Sequence, residues 1–319
     1  MLTFIVRRLL ITIPMLLVIS FLVYLGLEMT PGDAVSHMID PEAAGRMTEE
    51  EFAALREALG LNKSFLERYG IWLTNILQGN FGHSLAGGVA ISTIVLDRLP
   101  ATLELAIFAL FFSTLFGSVL GTISALRRGS ATDSALTVVG MLGVSIPEFF
   151  FGLVAILIFA LNLGWFPVGG RLLPGYETFF DRLPHIVLPG LVMSLMMTAG
   201  VMRYSRAAML DSLSREFIRT ARSKGLPEWR INLIHGFRVA LTPVVVLIGF
   251  RLPTLIGGSV IIEKVFQWPG VGNEFIGAVR SSDYPLVMMI ALLSVFAVLM
   301  ASLIVDVLTA LIDPRVRLS

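Results

Sequence analysis

Long apolar runs alternate with polar segments along nearly the whole chain. Six of the runs approach or exceed the roughly 18–20 residues that cross a hydrocarbon core of ~30 Å. They lie near 9–29, 101–126, 134–161, 185–202, 239–262 and 286–312. The fourth is the shortest and carries Pro189 and Gly190, so the pattern defines its ends poorly. The runs predict an all-α integral membrane protein with six transmembrane helices. The longest polar stretches between them are about 30–100 and 203–238.

The first polar stretch shows helical order. Thr48-Glu49-Glu50-Glu51 reads as a capping box ahead of Phe52, Leu55 and Leu59, with Gly60 as the stop. Ser64-Phe65-Leu66-Glu67 is a second box, followed at helical spacing by Phe65, Tyr69, Trp72, Ile76 and Leu77, with an end at Gly79. An amphipathic helix bearing Tyr and Trp beside a span suits the headgroup interface, and it suits equally a small cap packed over the bundle.

The second polar stretch reads as helix, break, helix. Asp211, Ser212 or Ser214 can cap a helix through Phe217, Ile218 and Ala221, with Arg219, Arg222 and Lys224 toward its C-terminal end. Gly225 suits a left-handed stop, and Pro227 with Glu228 suits the first turn of the next helix. Trp229, Leu233 and Phe237 then recur every four residues. The pattern predicts two short helices held at a fixed angle, a shape suited to docking into another protein.

Composition agrees with the apolar runs and adds an orientation. Hydrophobic residues make up 55% of the 319, charged residues 15%, and mean hydropathy is +0.83. With the N-terminus inside, the inner segments hold Arg7, Arg8, Arg127, Arg128, the basic residues of 203–238, Arg315 and Arg317, which is 14 of the 24 Lys and Arg. The reverse orientation would put the densest basic loop outside, so both termini are expected in the cytoplasm. Arg7-Arg8 before an apolar run also resembles a signal peptide, but the run is too long and no small-residue cleavage site follows Met29. It is expected to remain as an anchor. Zero Cys removes disulfides and thiolate metal sites, and a net charge of +1 gives no global case for nucleic acid.

Several motifs then carry a resemblance. The loop contains Arg219-Thr220-Ala221-Arg222-Ser223-Lys224-Gly225-Leu226, with Thr242-Pro243 farther on. In order along the chain stand Pro31-Gly32-Asp33, Gly79-Asn80-Phe81-Gly82-His83-Ser84-Leu85, Ser145-Ile146-Pro147-Glu148-Phe149, the Gly164–Gly170 stretch, Gly257-Gly258, the Glu263–Gly272 stretch, Asp283-Tyr284-Pro285 and Asp313-Pro314-Arg315. This ordered set resembles the permease subunits of binding-protein-dependent ABC importers, in their dipeptide/oligopeptide/nickel branch. Of the general family pattern of Glu-Ala-Ala, three residues, then Gly, the positions are taken by Arg219-Thr220-Ala221 and Gly225; the Glu and one Ala are absent, a departure that agrees with that branch.

The resemblance implies a multi-pass protein of a bacterial or archaeal cytoplasmic (inner) membrane. Its expected parts are 1–29, an extracytoplasmic segment 30–100, a core 101–312 with a coupling loop 203–238, and a tail 313–319. Glu216, Arg219, Thr220, Ala221, Arg222, Lys224, Gly225, Leu226, Pro227 and Glu228 are the implied ATPase-coupling residues. Implied partners are a second homologous permease, two cytoplasmic ATPase subunits and an extracytoplasmic solute-binding protein, alongside membrane lipid. The chain has no phosphate-binding loop, so ATP and Mg are expected on the ATPases and no cofactor on this chain. Short peptides are the leading cargo, with glutathione or chelated nickel as alternatives.

Intramembrane ionisable groups are candidates for the path. Glu148 follows Pro147, where a broken helix could expose carbonyls; Arg251 interrupts the fifth run and Asp306 the sixth. Arg251 could equally pair with either acid to hold the bundle. Phe81, between two glycines, is expected to point outward at the mouth or toward the binding protein. Two other classes compete. An ion-coupled secondary transporter calls for inverted repeats, and none is clear. An intramembrane enzyme calls for a nucleophile with its base, or a metal set, and none is seen.

Overall fold

The computed structural model describes residues 2–29, 46, 48–58, 62–172 and 178–312. The expectations placed on Pro31-Gly32-Asp33, Leu59, Gly60, Asp313-Pro314-Arg315, Arg317 and the tail 313–319 lie outside these residues, as do the side chains of Arg8, Phe52 and Leu55. Apart from one isolated bridge between His83 and Ala90, the described regular structure is helical. In chain order it comprises α1 (Leu2–Glu28), α2 (Glu49–Ala58), α3 (Phe65–Leu77), α4 (Ile91–Leu126), α5 (Ala131–Ser145), α6 (Glu148–Ala155), α7 (Phe179–Ser214), α8 (Glu216–Ser223), α9 (Glu228–Arg230), α10 (Phe237–Val265), α11 (Val271–Arg280) and α12 (Tyr284–Ile312). Two π-helical segments, Ile156–Asn162 and Ile231–Gly236, follow α6 and α9.

Among the described residues, four helices are long and apolar enough to cross a membrane: Ile91–Leu126, Phe180–Ser214, Glu228–Gly249 and Tyr284–Val307. Ala131–Gly143 and Glu148–Asn162, bent by 100° at the Pro147 break, make a fifth if the pair is one span. The first expected span falls on α1, whose apolar described part, Leu10–Gly26, is shorter. The fourth expected span is not short. Its helix runs through Pro184 and Pro189 to Ser214, because backbone groups freed by proline are re-satisfied by neighbours inside a bundle. Gly190 marks a contact with the Phe108 ring rather than an end.

The chain divides into two compact units. One holds Leu2–Pro100 and Gly270–Leu299. Here both capping boxes form: Glu51 accepts from the Thr48 N–H at 2.8 Å, and Glu67 from the Ser64 N–H at 3.0 Å. The aromatic face of α3 packs on α1. Tyr69 meets Phe21 edge-on at 5.3 Å between centroids and shares a 2.8 Å hydrogen bond with Ser20, while Trp72 lies 5.2 Å from Tyr24. Gly79 and Gly82 take positive φ as the sequence implied. Phe81 nevertheless does not point outward. Its half-buried ring packs on a cluster that includes Ile91, Ala278 and Ile290, because apolar α11 and α12 side chains are there to receive it.

The other unit holds Ala101–Pro269 and the chain from Met300. Its core gathers Leu105, Ala109, Ile156, Met193, Met197, Ile262 and Phe266 around a fully buried Trp268. The α4–α7 crossing is made by Gly117 and Gly121. A Cβ on Gly121 would sit 2.5 Å from the Met202 carbonyl and 2.6 Å from Ser205 Cβ, so only glycine lets the two helices approach this closely.

Candidate functional site

The 203–238 stretch folds into one elbow, though not as two short helices. Helix α7 continues to Ser214, and α8 follows after a single extended residue, Arg215. None of the three expected caps acts on α8. Asp211 instead holds Arg215 at 2.7 Å, the Ser214 hydroxyl donates to the Asp211 carbonyl, and the Ser212 hydroxyl donates to the Gly236 carbonyl at 2.9 Å. The second helix is the foot of α10, reached through α9 and the π segment without leaving helical conformation. A π turn displaces the usual i→i−4 bonding, and Ser212 supplies a donor to a carbonyl at its end.

Gly225 takes φ +75°, the left-handed stop that its sequence position implied. Pro227 is the cap of α9 rather than its first residue. The bend is stapled by Arg222, which donates from Nε to Glu228 at 2.8 Å and from Nη2 at 3.2 Å. Arg219 pairs with Glu216 at 2.9 Å, and the Thr220 hydroxyl donates to the Glu216 carbonyl. Beneath this polar layer Ile218, Ala221 and Ile231 form a small buried core, with Leu213 and Leu226 packed against it. All ten expected coupling residues therefore share one elbow. They divide by role: Ala221 and Leu226 hold it together, while Glu216, Arg219, Thr220, Arg222, Lys224, Pro227 and Glu228 face outward. Of Trp229, Leu233 and Phe237, which recur every four residues, Phe237 alone packs inward, against the cluster of Ala125, Met209 and Ala240. Trp229 is 62% and Leu233 54% exposed, because Ile231 takes the inward position.

The candidate path residues are scattered over separate helices. Glu148 is half-buried in the first turn of α6 and, among the described residues, has no ion-pair partner, so the Arg251–Glu148 pairing is not formed. The Arg251 guanidinium lies over Gly200 of α7. Asp306 is half-buried next to Val305, which packs on Gly249.

Sequence reasoning missed the polar joints that fix the helix ends. Asp133, buried at the start of α5, accepts from Arg206 Nε and Nη2, both at 2.8 Å, from Ser124 at 2.5 Å and from the Gly129 N–H. The Ser130-x-x-Asp133 capping pattern was its only sequence signal. Glu104 holds Arg171 through two bonds and Arg182 at 3.3 Å. Two pairs of the motifs named from the sequence also meet. Asp283 accepts from the Ser84 hydroxyl and the Leu85 N–H. The Gly170 N–H donates to the Phe266 carbonyl at 2.9 Å. Trp268 Nε1 donates to the Ala101 carbonyl at 2.8 Å, and the buried Glu263 accepts from Thr102.

The elbow sits within the part of the chain that known families describe. Residues 117–318 match the family of binding-protein-dependent transport system inner membrane components, and residues 1–106 match the N-terminal family of the same membrane component. The chain belongs to this inner membrane component family.

As an inner membrane component, it is a multi-pass protein of the cytoplasmic membrane and a permease subunit of an ABC importer. Relatives match along nearly their full length. The oligopeptide transport system permease protein AppB of Bacillus subtilis is 39% identical over 319 residues, covering 99% of this chain and 100% of its own. The di/tripeptide transport system permease protein DppB of Pseudomonas aeruginosa is 36% identical, covering 99% of each chain. The glutathione transport system permease protein GsiC of Escherichia coli is 34% identical, again covering 99% of each. A chain of the inward-facing MetNI methionine ABC transporter shares the fold, with a TM-score of 0.54 over 70% of this chain and 97% of that one, at 17% identity. The family implies an ATPase and a binding protein as partners of this permease.

Proposed function

We propose that this permease forms half of a translocation pathway for short peptides and takes its energy through the 215–236 elbow. The observation that carries the coupling role is the elbow's construction: a buried apolar core, a left-handed glycine and a bidentate staple under a charged outer face. A unit held this way passes a push from a partner into α7 and α10 instead of absorbing it. The partner is a cytoplasmic ATPase that binds ATP and Mg, and the permease itself is a non-catalytic subunit. The full assembly contains two ATPases, a second homologous permease and an extracytoplasmic solute-binding protein. Six spans with both termini inside place 30–100 outside, with 101–312 as the core. Glu148, Arg251 and Asp306 belong to the path or its gate.

Peptide cargo is supported by the relatives named for oligopeptide and di/tripeptide transport; the relative named for glutathione supports a peptide-like solute as the second reading. The test is uptake by vesicles reconstituted with the permeases, ATPases and binding protein. ATP-dependent accumulation of labelled short peptides, competed by other short peptides, is expected. Accumulation of glutathione or a nickel chelate in place of peptides would redirect the cargo assignment, and ATP-independent uptake would contradict the coupling assignment.

A further inference from the structure

The foot of α10 carries a second face that the elbow core does not use. Trp229, Leu233 and Ile234 are 62%, 54% and 44% exposed, and Arg230 and Arg238 flank them, also exposed. Nearby arginines are committed to carboxylates: Arg206 to Asp133, Arg215 to Asp211, Arg219 to Glu216 and Arg222 to Glu228. Arg230 and Arg238 have no carboxylate within ion-pair distance among the described residues. The same face runs on into the exposed positions Thr242 and Val245 of an apolar, mostly unburied helix, Glu228–Gly249. We infer that Trp229, Arg230, Leu233 and Arg238 form an inner-leaflet site for the headgroup of an anionic phospholipid, which anchors the elbow to the membrane surface.

Three physical arguments converge on that occupant. Trp beside Arg at the end of a span is the composition of the headgroup layer. Side chains tilt toward a helix's N-terminus, which here is the cytoplasmic end, so Arg238 extends toward the side on which Arg230 lies. The apolar residues between them are exposed and continuous with the exposed side of the helix Glu228–Gly249, a composition that suits the acyl boundary. The inference rests on the elbow lying at the cytoplasmic surface.

The test uses the intact importer. Phosphatidylglycerol retained on the detergent-purified complex is measured by native mass spectrometry. ATPase activity is compared in vesicles of phosphatidylcholine alone and of phosphatidylcholine with an equal part of phosphatidylglycerol. The Arg230→Gln/Arg238→Gln double variant is expected to bind phosphatidylglycerol on the order of twentyfold more weakly and to lose the activity difference between the two vesicles. The ATPase should still co-purify, and Arg230→Lys/Arg238→Lys should restore binding. Unchanged lipid retention in the Gln variant would overturn the proposal. So would loss of the ATPase with lipid retention intact, which would assign this face to the ATPase. A failure of the coupling reading itself would show differently, as a wild-type complex from which the ATPase is absent.

Discussion

Gly225 holds a backbone conformation that a β-branched side chain reaches only at a cost of about 1–2 kcal/mol. No heavy atom lies near the position its Cβ would take, so the penalty is one of backbone conformation rather than collision. Gly225→Val is therefore expected to leave membrane insertion unchanged while lowering ATP-driven uptake about tenfold. Uptake equal to wild type, with equal protein in the membrane fraction, would contradict this. Asp133 offers the opposite case. Removing it strands a bidentate arginine together with the Ser124 hydroxyl and the Gly129 N–H, and Asp133→Ala should destabilise the detergent-solubilised protein by about 2 kcal/mol, read as a lowered Tm. Arg206→Lys keeps the charge but loses the fork, and should fall between that variant and wild type. Gly225 was readable from its neighbours in sequence, because a stop between two helical patterns has a local signature. Asp133 was not, since its partner is 73 residues away and no periodicity reports a long-range ion pair.

At the scale of single elements, close approach and capping dominate. Gly117 and Gly121 let α4 and α7 touch backbone to side chain, so Gly121→Leu should force the crossing apart. Little folded protein is expected from size-exclusion chromatography, and a normal monodisperse yield would show that the crossing tolerates separation. In α3 the Glu67 carboxylate is held below its ordinary value, first by the Ser64 N–H and then by the Ser64 hydroxyl. A lowered folded-state value means that the cap's contribution is present at neutral pH and is lost as pH falls through that lowered value. The first turn of α3 should thus fray on acidification below about pH 4, seen as faster amide exchange at Arg68 and Tyr69, and Glu67→Gln should flatten the dependence. Both boxes were legible from Ser/Thr-x-x-Glu alone. The end of α7 was not. Arg203 and Arg206 lower the local hydropathy and mimic a loop, yet the helix passes them, because Arg206 is satisfied by Asp133. The π segment also escaped, for its displaced bonds leave no trace in a pattern read at 3.6 residues per turn.

For the whole molecule, the apolar runs carried the fold class, and the ordered motifs carried the family. Physically, those motifs turn out to be joints more often than contact surfaces. Trp268 and Glu263 tie the end of α10 to Ala101 and Thr102 in the first third of α4, and Asp283 pins the Ser84 turn. Phe81 shows the limit of reading a turn from its glycines: the backbone was foreseeable, but the ring's direction depended on which apolar side chains lay beside it. The coupling account stands on the elbow's outward face. The chain has no cysteine, so single cysteines can be placed there without background. The most direct measurement is cross-linking of Thr220→Cys and Lys224→Cys to cysteines introduced on the ATPase surface, in the full importer with and without ATP. The account predicts efficient cross-links at both positions, changing in yield or spacing with nucleotide, while Leu77→Cys on α3 gives none. Absence of any elbow cross-link in every nucleotide state, from an importer that still transports, would contradict it.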